Sequence, residues 1–179
     1  MILAALLFAA TTTTASPVTW KSTLIEYKTE LAEHNVEKTF LAAARLEQQL
    51  LPIIDHLSEG EYAQLEESTA GGMQLSRKGM IYAHPDAEFF LKMAEEFGTP
   101  ADVNFFQEFQ RSFPSGPMPS WIHLTSTGAC VDAKGTEFPS RLRGWQVYAA
   151  RFPNNYRMYV QQLLHGMEAD QADVTRQCK

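Results

Sequence analysis

Five histidines, at positions 34, 56, 84, 123 and 165, and two cysteines, Cys130 and Cys178, are the residues of this 179-residue chain best suited to chemistry near neutral pH. No two of the histidines are spaced to share one helix face. The chain has no H-E-x-x-H, no G-x-S-x-G, no phosphate-cradling glycine loop and no C-x-x-C. The densest set of potential ligands is His84-Pro85-Asp86-Ala87-Glu88. A metal could use His84 with Asp86 or Glu88. The competing reading is helix capping, since carboxylates in a first helical turn meet the positive end of the helix dipole. His123 stands beside Trp121 in a stretch of irregular composition, with Asp132 the nearest carboxylate. It could act as a general base or a binding contact, or could simply bond a backbone carbonyl. No catalytic residue, metal site or cofactor is assigned, and the expectation leans away from an enzyme.

The cysteines read differently. Cys130 lies among glycine, threonine and proline, and Cys178 is the penultimate residue. Neither is placed like a nucleophile. A bond between them would tie the C-terminus to the body of the chain, provided the compartment is oxidising. The N-terminal stretch supports such a compartment. Ile2 to Ala10 is an unbroken apolar run, followed by small residues ending Thr13-Thr14-Ala15. That length suits the core of a secretory signal and falls short of the roughly 20 residues of a membrane span. No Lys or Arg precedes the run. The alternative is a buried N-terminal helix, which four consecutive threonines would continue poorly. The expectation is a cleaved signal over 1–15, one helical domain over 16–179, and a periplasmic or secreted location.

The formal charge of −6 argues against nucleic acid and anionic membrane surfaces as main partners and is compatible with a basic protein partner. The densest acidic patch is Glu59, Glu61, Glu66 and Glu67, read as a solvated helix face or a docking site for that partner. Arg141, Arg143, Arg151 and Arg157 flank aromatic positions near the C-terminus, and Arg with Tyr is a combination that interfaces favour.

The elements that must position these residues are helices. Trp20, Leu24, Tyr27 and Leu31 recur at helical spacing, with a break at His34-Asn35 and Asn35 as the next N-cap. The pattern resumes at Val36 and runs to Leu57, with a kink or an end at Pro52. Ser58 and Glu61 have the form of a capping box. Met73 to His84 is ambiguous between a small hairpin, with Gly79 closing the turn, and a helical turn. His84-Pro85 is predicted to open a helix with proline at its first position, and Thr99-Pro100 the next. Phe89, Phe90, Met93 and Phe97 repeat the spacing of Phe105, Phe106, Phe109 and Phe113. These stripes are read as core, or else as a groove for an apolar ligand or a partner helix. The stretch 114–140 is predicted irregular, with Trp121 to Leu124 read as a short strand or a buried turn, and helical spacing returns from Ser140 and again from Tyr156, with Asp170 or Asp173 capping a last turn.

The fold class is mainly α, a compact array of about six to seven helices with room for one small β-hairpin. The functional expectation is an exported, soluble, non-enzymatic binding protein (an inhibitor, an immunity-type protein or an envelope accessory factor) acting by protein contact. Its candidate contacts are Trp121, His123, Arg151, Tyr156 and Tyr159. Two alternatives stand beside it: an enzyme with a dispersed site around His123 or His84, and a carrier of a small apolar ligand between the phenylalanine stripes.

Overall fold

The first helix, α1 (Pro17–Ala32), opens the part of the chain that the computed structural model describes, residues 17–69, 71–126 and 128–178. The apolar stretch read as a signal over 1–15 lies outside these residues. Helix α1 closes through backbone bonds from His34 N to Leu31 O and from Asn35 N to Glu30 O, with His34 in the left-handed region at φ 56°. The His34 ring stacks on Phe97 at 4.0 Å, which helps hold it there. As the spacing predicts, Asn35 then caps α2 (Val36–Leu50), its side chain accepting from Lys38 N at 3.2 Å. The buried face of α2 carries Phe40, Ala43, Leu46 and Leu50, and against it lie α1, a β-strand and a later helix.

Pro52 ends this helix rather than kinking it; a 3-10 turn, Ile54–His56, follows. Ser58 and Glu61 form the capping box of α3 (Glu59–Ser68). The ambiguous stretch resolves as a hairpin. Strands β1 (Met73–Ser76) and β2 (Tyr82–Pro85) pair antiparallel, Met73 opposite Pro85 and Gln74 opposite His84. One expectation is corrected here. His84 and Pro85 end a strand and do not start a helix. Asp86 is the true N-cap of α4 (Ala87–Phe97), its carboxylate accepting from Phe89 N at 2.7 Å. A proline at a strand end satisfies the ladder as well as it would suit a first helical turn, so local chemistry alone did not decide between them. Thr99 and Asp102 form the capping box of α5 (Pro100–Ser112), with Pro100 in its first turn.

The stretch 114–140 is less irregular than predicted. It contains a second antiparallel hairpin, β3 (Ile122–Thr125) with β4 (Gly128–Val131), Ile122 opposite Val131. It also contains the start of α6 (Glu137–Arg151), three residues before the expected Ser140. Pro139 sits within the first turn, where a missing N–H is tolerated. Helix α7 (Arg157–Ala172) follows a tight turn in which Tyr156 has φ 49°. Asp173 caps a final 3-10 turn, Val174–Arg176. The chain end then joins the second hairpin. Gln177 bridges Val131, Cys178 N donates to Val131 O at 3.0 Å, and Cys130 is bonded to Cys178.

The two phenylalanine stripes are core. Phe90 stacks on Phe106 at 5.3 Å, and Phe105 on Tyr156 at 3.8 Å. Phe97 is the exception, exposed at the end of α4. Among the described residues the architecture is seven α-helices with two small two-stranded sheets.

Candidate functional site

Helix α6 owes its position to three side chains on its inner face, Phe138, Trp145 and Tyr148, all buried. Trp145 donates through Nε1 to the buried Ser112 Oγ at 2.9 Å, which locks α6 to the end of α5. The outer face is left to solvent. Along it Arg143, Val147 and Arg151 follow at intervals of one helical turn, all exposed. Arg151 lies over the Phe152 ring at 5.1 Å.

Where the C-terminal turn of α5 meets the N-terminal half of α6, a groove of about 720 Å³ opens. Four cationic side chains line it: Arg111, Lys134, Arg141 and Arg143. Arg111 donates to Glu108 Oε1 at 2.6 Å, and Arg141 to Glu137 Oε2 at 3.0 Å through a terminal nitrogen. Lys134 and Arg143 have no ion-pair partner among the described residues. Pro139 and Val147 supply an apolar wall. A second, smaller hollow of about 360 Å³ lies at the other end of α6, lined in part by Phe152, Asn155 and Arg157.

The charge of the chain is unevenly distributed around this groove. Residues 17–99 hold seven Lys and Arg against fourteen Asp and Glu, whereas residues 100–157 hold six against four. Of those four, Asp102 is buried, accepting from Thr99 and from Tyr156 Oη at 2.6 Å. Glu108 is paired with Arg111 in the groove, Glu137 with Arg141 beside it, and Asp132 accepts from the backbone N–H of Gly135 at its edge. The groove is therefore a cationic region on an acidic protein, and it attracts anionic groups over about a Debye length.

The residues singled out from the sequence fare unequally. Trp121 and Tyr156 are fully buried and are corrected from contact residues to parts of the core. Trp121 packs on Phe113 and Phe138. Tyr156 donates its hydroxyl to Asp102, and its backbone N–H to Glu37 Oε1 at 2.7 Å. Tyr159 is half-buried, its ring against Phe40. Arg151 does lie on the outer face of α6. His123 is exposed on β3, with Nε2 3.9 Å from Asp132 Oδ2. His84 is enclosed. Its Nδ1 lies 3.0 Å from Glu47 Oε1, its ring stacks on Phe109, and Nε2 is buried with no hydrogen-bond partner among the described residues. Asp86 and Glu88, the other members of the supposed ligand set, serve as an N-cap and as the partner of Lys92. Neither hollow is lined by a histidine. Sequence reasoning missed Arg111 and Glu108, three residues apart on α5, and Lys134, just before α6; they carry no motif, and α5 is separated from α6 by the second hairpin along the chain.

The buried tyrosines impose a pH limit. Burial raises the phenol of Tyr27 to about 12 and raises those of Tyr148 and Tyr156 further, Tyr156 also through its bond to Asp102. The folded state thus keeps protons that the unfolded chain releases above pH 10, so the stability is fully present below pH 10 and lost as pH rises beyond it. The three tyrosines together cost on the order of 2 kcal/mol at pH 10.5. Urea midpoints measured between pH 8 and pH 10.5 should fall accordingly; a flat profile would contradict the burial of these hydroxyls.

No family model matches the chain, and no curated protein or solved structure is significantly similar to it.

Proposed function

We propose that the protein is an exported, non-enzymatic binding protein that acts by contact with a protein partner, and that the contact surface is the cationic groove and outer face of α6. The observation that carries this reading is the placement of Lys134 and Arg143, without ion-pair partners among the described residues, beside an exposed apolar wall on a chain that is otherwise net acidic. Such a surface suits an acidic partner better than a basic one. The acidic patch on α3 offers less, because Glu59 and Glu61 are already engaged by Arg77 and Lys21. Export is supported by the apolar N-terminal run and by the Cys130–Cys178 bond, which an oxidising compartment preserves. No helix among the described residues is long and apolar enough to cross a membrane. The reading as a carrier of an apolar ligand gains no support, since the phenylalanine stripes fill the space between them with one another's rings.

The test uses the oxidised chain as bait against extract of its own envelope and medium, beside a K134E/R143E double variant. A stoichiometric partner should be retained by the native chain, weakened at least about tenfold by the charge reversal, and released as salt rises above about 0.3 M. A partner that the double variant binds equally well would move the contact surface elsewhere.

A further inference from the structure

Glu108 is the one carboxylate set into the α5 wall of the groove, and the fold makes room for it. Its side chain is 17% exposed. Oε1 accepts from Arg111, while Oε2 has no hydrogen-bond partner among the described residues. That second oxygen lies 2.4 Å from where a Cβ on Gly144 would stand. Gly144 is in the interior of α6, where glycine weakens a helix relative to alanine. A side chain at 144 would meet the carboxylate tip of Glu108, which would have to swing aside from its present place.

A fixed carboxylate among four cations repels a bare anion. It does not repel a ligand that presents an N–H donor next to its acidic groups, because the free Oε2 can accept that donor. An acidic peptide segment has this combination: side-chain carboxylates alternate with backbone N–H groups, and an apolar side chain between them can rest on Pro139 and Val147. We infer that Glu108 is a specificity residue of the groove, selecting an acidic peptide segment, with its carboxylates toward Lys134 and Arg143 and a backbone N–H on Glu108 Oε2, over simple anions. This rests on the reading of the groove as the contact site.

The experiment titrates the full oxidised chain, by calorimetry and by amide chemical shifts, with two probes: inorganic phosphate, and an acetylated, amidated nonapeptide of repeated Glu-Leu-Glu triplets. Three variants are compared with the native chain: E108A, G144A and K134E/R143E. E108A should weaken the peptide at least about fivefold, through loss of one charged hydrogen bond, while tightening phosphate. G144A keeps the carboxylate but displaces it, and should weaken the peptide in the same direction. K134E/R143E should weaken both probes. If E108A tightens both probes, or lowers the melting temperature while leaving the peptide affinity unchanged, Glu108 only packs α5 against α6 and the inference is wrong, although the groove remains the contact site. If the native chain binds neither probe, or K134E/R143E binds both as well as the native chain, the groove reading itself fails and this inference with it.

Discussion

Replacing Phe40 by alanine is expected to lower the free energy of unfolding by about 3–5 kcal/mol, which is the usual cost of emptying a large aromatic site in a core. Phe40 is fully buried on α2, at the junction of three other helices. Its ring centroid lies 5.4 Å from Phe90 on α4, and 5.0, 5.2 and 5.2 Å from Phe105, Phe106 and Phe109 on α5. It lies 5.7 Å from Tyr156 and 5.0 Å from Tyr159, at and beyond the start of α7. Most of these contacts are edge-to-face, the arrangement in which a positive ring edge meets a negative ring face. The six neighbours are held by one another and by their helices, so they have little freedom to collapse into the vacated volume, and the cavity term adds to the transfer term. A domain of this size has roughly 5–15 kcal/mol in hand. The variant should therefore be near its threshold, with a melting temperature about 10 °C or more below that of the native chain. F40L, which keeps most of the volume, should lose less. Equal losses for the two variants would mean that the ring, and not apolar bulk, accounts for the stabilisation; an F40L variant of native stability would mean that ring geometry contributes nothing beyond bulk.

The second large effect concerns the chain end. The Cys130–Cys178 bond spans 48 positions. By the loop-entropy account, closing a loop of that length removes freedom from the unfolded chain worth on the order of 4 kcal/mol. The double variant C130S/C178S should lose about that amount, measured by urea denaturation. It should also free the final turn. In the folded protein that turn is held by the Gln177–Val131 bridge, by Gln177 Nε2 donating to Asp170 O at 2.9 Å, and by the Arg176–Asp170 ion pair at 3.0 Å. Asp170 is buried, and burial raises its pKa against the opposing pull of Arg176. Opening the turn would admit water to that carboxylate, so amide exchange over 173–178 should quicken well before global unfolding. A double variant with native stability and unchanged exchange would show that the noncovalent contacts alone fasten the C-terminus.

Much of the fold was legible from local chemistry. Asn35, the Ser58–Glu61 box and the Thr99–Asp102 box each satisfy open N–H groups within three residues, so the helices they start could be read without knowing the fold. The phenylalanine stripes showed their role in the same way, because helical spacing alone puts them on one face. The misreadings share one cause. His84-Pro85 and Gly128–Val131 lie in strands because a paired strand supplies the hydrogen bonds, and that pairing leaves no mark in helical spacing or in the capping residues.

The candidate site was less visible still. Trp121 and Tyr156 looked like contact residues because aromatic rings near arginines are frequent at interfaces, yet burial is decided by what packs over a residue, which its neighbours in sequence do not show. The sequence by itself determined a mainly helical chain, the places where most helices begin, the aromatic core and the acidic net charge, because capping, periodicity and composition act within a few residues. Only the tertiary structure decided that Arg111, Lys134, Arg141 and Arg143 meet in one groove, that Glu108 lies against Gly144, and that the two cysteines come within bonding distance. Those are distances between segments far apart in the chain, and they are set by how α5, α6 and the second hairpin pack rather than by any local preference of the residues involved.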